Sequence, residues 1–162
     1  MAVFQSFTGV LTMIHDFETG YGGKAGCNKL MSVENAERGL TNFVVMPTTC
    51  FVDHVMVAVG DTVTGFYDAN APTPLIFPPQ LQAIVMARAT RMQNVKVGYF
   101  DRQLVSSDGA LKLNISPSTE LMLENGQLFT GDLANRDLIV VYGPTTRSIP
   151  AQTTPYKIIV MC

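Results

Sequence analysis

The chain has 162 residues, of which 47% are hydrophobic and only 15% charged, with a formal net charge of −2. That length fits one domain or two small ones. The apolar share excludes a disordered chain, and the charge balance excludes the basic footprint that nucleic-acid binding needs. No apolar run reaches 18 residues, which excludes a transmembrane helix.

The opening, MAVFQSFTGVLTMIHDF, lacks the basic segment and cleavage-like site of a secretory signal. It reads instead as a strand over Phe7–Ile14. From His15 to Thr41 the pattern predicts a long loop, with Gly20, Gly22, Gly23 and Gly26 at its start. Within it, Lys29 to Arg38 has weak helical spacing that Gly39 cuts short. A strand follows at Phe43, then a Gly60-Asp61 turn and a strand over Val63–Tyr67. A proline-rich crossing at Phe77-Pro78-Pro79-Gln80 leads into a closing strand at Ile84-Val85-Met86. After a short basic joint, Ala87 to Asn94, strand signals resume at Val95–Phe100. Ser106-Ser-Asp-Gly109 is a tight-turn signal, because glycine tolerates positive φ. Leu111, Leu113 and Ile115 then alternate with polar residues, the period of a half-buried strand. Val, Ile, Thr, Phe and Tyr dominate these runs, and no amphipathic helix passes ten residues, so the expected class is all-β.

The landmarks recur in order. Pro47 and Thr49 match Pro117 and Thr119, and Gly60-Asp61 matches Gly131-Asp132, followed by an insertion at Ala134 to Asp137. Val63–Tyr67 matches Leu138–Tyr142, and Pro78 and Gln80 match Pro150 and Gln152. Ile84-Val85-Met86 echoes Ile159-Val160-Met161. This is an internal duplication. It predicts a first repeat over 1–88, carrying the long Gly-rich loop 15–41, and a second over 89–162. Five short strands per repeat suit a small OB-like barrel, with one β-sandwich or jelly roll made by both halves as the alternative. The plan of a Thr-containing strand, a Gly-Asp turn, a strand ending in Tyr, Pro-Pro-Gln or Pro-Ala-Gln, and Ile-Val-Met resembles duplicated small bacterial OB-like barrel proteins of unassigned function. The resemblance implies a fold and no active site.

The motifs of catalysis are missing. No GxSxG elbow occurs, and Gly20-Tyr-Gly-Gly-Lys24 lacks the pattern of a phosphate loop. His15 and His54 each neighbour an aspartate, but adjacent strand residues point to opposite faces. The acids of the long loop have no Ca²⁺-loop spacing. The candidates for a metal are Cys27, Cys50 and His54, with Cys50 and His54 four apart on a predicted strand. No cofactor is expected. With no Trp and scattered bases, the chain lacks the stacking groove of a single-strand binder.

The remaining signals point to assembly. Charge is sparse and uneven: residues 1–81 carry three bases against seven acids, and residues 82–162 eight against six. Terminal strands at Phe4–Ile14 and Lys157–Cys162 suit addition to a neighbour's sheet edge. The expected function is a non-enzymatic, self-assembling structural protein, a subunit of a fibre, appendage or coat built by head-to-tail contacts. Cys162 is the candidate intermolecular crosslink, since three cysteines leave one over. The alternative is an OB-like binding module for a small ligand or partner protein. The expected partner is a copy of the same chain, with no nucleic acid and no membrane insertion, and the expected setting is a cell or spore surface.

Overall fold

The computed structural model describes residues 2–17 and 25–162. Strand makes up 48% of the chain and helix 2%, so the all-β class holds. The chain divides into two compact units, residues 1–89 and 90–162. Among the described residues no sheet mixes strands from both units, and each unit has its own hydrophobic core.

The first unit contains β1 (Phe4–Asp16), β2 (Lys29–Asn35), β3 (Gly39–Val45), β4 (Cys50–Phe51), β5 (Thr62–Asp68), β6 (Gln80–Gln82) and β7 (Val85–Arg88), with one 3-10 turn at Val52–His54. Their order in the sheet is β4-β7-β5-β1-β2-β3-β6. Residues 80–88 are one continuous run that pairs with β3 at its start and with β5 and β4 at its end. Phe7, Leu11, Val33, Phe43, Val63 and Met86 form the heart of the core. The Phe43 ring lies edge-on to Phe7, with centroids 6.4 Å apart. It can cross the interior because residue 65 is glycine: a Cβ there would sit 2.5–2.8 Å from three atoms of the ring.

The expected loop over 15–41 is corrected. Its glycines Gly20, Gly22 and Gly23 lie outside the described residues, but β1 runs through Asp16 and residues 29–45 form an antiparallel hairpin. Met31 and Val33 alternate into the core, opposite Phe43 and Thr41. The polar residues Glu34, Asn35, Glu37 and Arg38 hid this period because they end β2 and form the turn after it. There the Asn35 carboxamide oxygen accepts the N–H groups of Glu37 (2.8 Å) and Arg38 (3.1 Å), and Gly39 takes a φ of +83°. The turn also covers an edge. Asn35 Nδ2 donates to the Thr8 carbonyl (2.6 Å) and Arg38 to that of Ser6 (3.2 Å), so side chains occupy acceptors that a neighbouring strand would need.

The second unit contains β8 (Asn94–Phe100), β9 (Leu111–Leu113), β10 (Glu120–Leu123), β11 (Arg136–Tyr142), β12 (Ala151–Thr153) and β13 (Lys157–Val160). β10, β13, β11 and β8 form one sheet, while β12 pairs with β9. Its core gathers Phe100, Leu111, Leu113, Leu138, Val140 and Ile158. Ile115, expected to continue the inward alternation, is 40% exposed because β9 stops at Leu113.

Strand register matches residues of one unit to the other. β3 pairs in parallel with β6 as β9 does with β12, setting Asn42↔Gln80 beside Lys112↔Gln152. β5 pairs with β7 as β11 does with β13, setting Gly65↔Met86 beside Val140↔Ile158. Two sequence matches fail this test. Val85 and Met86 correspond to Lys157 and Ile158, so the Ile-Val-Met echo is displaced by three residues along the strand. An odd displacement puts each side chain on the opposite face. Second, Gly60 corresponds to Asn135, not Gly131. The Gly60 N–H donates to Leu11 O (2.8 Å) as the Asn135 N–H donates to Phe100 O (2.9 Å). Both have positive φ, +99° and +59°, a conformation open to glycine and tolerated by asparagine.

One device is shared by both units. Thr49 Oγ1 donates to the Ala83 carbonyl at 2.8 Å, and Thr119 Oγ1 to the Pro155 carbonyl at 2.8 Å. Each threonine thus ties the turn before β4 or β10 to the strand that closes its unit.

Candidate functional site

β5 ends at Asp68, whose Oδ1 accepts the N–H groups of Asn70 (2.9 Å) and Val3 (3.1 Å) and turns the chain outward. Pro72, Pro74, Pro78 and Pro79 follow. Proline has no N–H to give a ladder, so this stretch cannot become an interior strand. Every residue from Ala69 to Phe77 is exposed. At the tip, Leu75 is 103% exposed, Ile76 53% and Phe77 88%. Three large apolar side chains in sequence therefore face water. Single exposed apolar residues are ordinary, whereas a contiguous group marks a contact surface.

The base of this loop forms one wall of an open cleft of about 400 Å³. Phe17, Val44, Met46, Tyr67 and Ile84 supply its apolar lining, and Asp68, Gln80 and Gln82 its polar rim. Tyr67 reaches out of the core toward Gln5 Oε1 at 3.2 Å. No lysine or arginine occurs between Arg38 and Arg88. Among the described residues the lining includes no cation to meet a phosphate, and the one charged group is a carboxylate. Such a site favours apolar, uncharged matter.

In the second unit the matching segment runs through Pro144–Ile149, all exposed. Ile149 occupies the position of Phe77 and is 96% exposed. Each of the two residues precedes a cis proline, Pro78 or Pro150. Gln152, just beyond, meets the Asn114 side chain at 3.2 Å. A second hollow, of about 470 Å³, lies among Ser118, Glu120, Thr154, Pro155, Tyr156 and Lys157 and is more polar.

The residues singled out in the sequence lie elsewhere. Cys50 is on β4 and His54 ends the 3-10 turn, while Cys27 is exposed beside Gly26. Among the described residues no group of three His, Cys, Asp or Glu side chains is placed to hold a metal ion. No disulfide joins the three cysteines, and Cys162 is exposed. β13 lies between β10 and β11, paired on both sides, so the expected free edge at Lys157–Val160 is corrected. No helix among the described residues is long and apolar enough to cross a membrane. The expected crossing at Phe77–Gln80 begins at an exposed apolar tip, Leu75–Phe77. The available signal was three large apolar residues bracketed by prolines that bar them from a ladder.

The chain matches no family model, no curated protein and no solved structure.

Proposed function

We propose that the protein is a non-enzymatic, self-assembling β protein whose two units are OB-like barrels and whose copies join end to end into a fibre, appendage or coat. The observation that carries this reading is the pair Phe77 and Ile149. Each unit holds a large apolar side chain in solvent at the same structural position, 88% and 96% exposed. Two contact points per chain allow two neighbours per copy, the minimum for continued growth. The barrel reading is supported by the runs 80–88 and 151–160, each of which pairs with one strand at its start and others at its end. An exposed, free Cys162 is positioned for a disulfide between copies in an oxidising setting.

Sedimentation velocity and negative-stain microscopy over a wide concentration range, with and without reductant, test the proposal. Growth of oligomers with concentration is the expected result. A single monomeric species at every concentration in both conditions refutes it. The second reading, a binding module, is favoured by the apolar cleft beside β3 and β6. An apolar ligand that raises the melting temperature of a strictly monomeric protein would select it.

A further inference from the structure

The loop over 71–78 carries two complementary shapes. Its tip is an apolar knob, Leu75-Ile76-Phe77, and its base walls an apolar cleft. A surface that holds both a knob and a receptacle can pair with itself about a two-fold axis. We propose that the first unit docks on the first unit of a second copy, with the Leu75–Phe77 tip of each chain entering the cleft of the other. This rests on the assembly reading above. It replaces head-to-tail order with a symmetric contact at the first units, leaving growth to the Ile149 side.

The area is sufficient. Scaled by their exposures, the three tip side chains present on the order of 500 Å². Two tips, with the cleft walls they cover, exceed the roughly 1,000 Å² of total buried surface that a specific interface needs. Chemistry also selects a like surface over an anionic lipid or nucleic acid. Residues 1–89 hold four bases against seven acids, and the cleft adds Asp68 on its rim. The prolines on either side of the tip restrict its backbone before binding, which lowers the entropy lost on docking.

The experiment uses the full chain carrying Ile149→Ser, which limits assembly to the first-unit contact. Two further variants are made in it: a knob variant, Leu75→Ser with Phe77→Ser, and a cleft variant, Gln82→Trp, whose ring fills the cleft mouth. All the altered positions are exposed, so circular dichroism melts should match the parent. Sedimentation equilibrium should give a dimer for the Ile149→Ser parent. Each further variant should weaken dimerisation at least tenfold. An equimolar mixture of the two should recover a heterodimer, since one intact knob then faces one open cleft.

Dimerisation that both variants leave unchanged overturns the proposal while the assembly reading stands. A wild-type chain monomeric at all concentrations overturns both. Co-sedimentation of that monomer with neutral phosphatidylcholine vesicles, lost in the knob variant, assigns the tip to a lipid surface and also overturns the proposal.

Discussion

Register makes Gly65 of the first unit equivalent to Val140 of the second, and Phe43 equivalent to Leu113. All four lie inside, and all but Gly65 are core hydrophobics. One unit fills the space with a large ring over no side chain, the other with two middling side chains. Changing Gly65 to Val alone drives a Cβ to within 2.5–2.8 Å of the Phe43 ring, and its methyl groups add to the clash. Overpacking of that kind costs about 1–3 kcal/mol. Changing Phe43 to Leu alone opens a cavity and costs roughly 1–2 kcal/mol, below the range for a full Phe→Ala truncation. Independent effects would sum to about 2–5 kcal/mol. The double variant instead copies the arrangement of the second unit, so it should cost less than either single change, with a coupling of about 2 kcal/mol. Urea unfolding followed by circular dichroism on all four proteins measures the cycle. Strictly additive costs would refute the claim that these pairs are volume-compensating equivalents.

The turn after β8 gives a pH prediction. Partial burial of Asp108 acts to raise its pKa, but hydrogen bonds from Lys96 (2.7 Å), Ser106 (2.6 Å) and the Ala110 N–H (3.0 Å) prevail, lowering it from 3.8 to about 2. A depressed carboxylate pKa stabilises the fold above the unfolded value and ceases to do so as pH falls through 3.8 toward 2. The Asp108 side chain is 55% exposed, so solvent screening reduces the effect to about 1 kcal/mol. Asp108→Asn should flatten the dependence of melting temperature on pH between about 4 and 2; an unaltered slope would contradict this assignment. Thr119→Val keeps the shape but leaves the Pro155 carbonyl without its 2.8 Å donor, for an expected loss of about 1–3 kcal/mol. Thr49→Val should cost a similar amount through Ala83, and a neutral result at both sites would show that the clasp is dispensable. Cys162→Ser should shift stability by under about 0.5 kcal/mol, since the thiol is exposed and free. On non-reducing gels of the oxidised protein it should remove the covalent dimer, and a dimer that persists would exclude Cys162 as the crosslink.

The sequence by itself determined the β class and the positions of β1, β5, β8 and β11. The β-branched and aromatic runs Val63–Tyr67 and Leu138–Tyr142 are a local property, and so is the Ser106–Gly109 turn, where Gly109 has a φ of +71°. Pro47-Thr49 and Pro117-Thr119 were legible as a repeat, though their shared work emerged only when each hydroxyl met a carbonyl 34 or 36 residues away. The Ile-Val-Met echo misled because apolar strand endings are similar in any β protein. Pairing with Cys50 and Phe51, or with Glu120 and Leu121, sets the true register. The β2–β3 hairpin was hidden because the side chains of its turn cover the carbonyls of Ser6 and Thr8, far earlier in the chain. Tertiary structure alone decided that β13 lies between two strands. The physical reason is the same in each case. Side-chain period and turn chemistry are local, whereas a strand's partners, its register and the closure of its sheet are hydrogen-bonding choices made between residues distant in the chain.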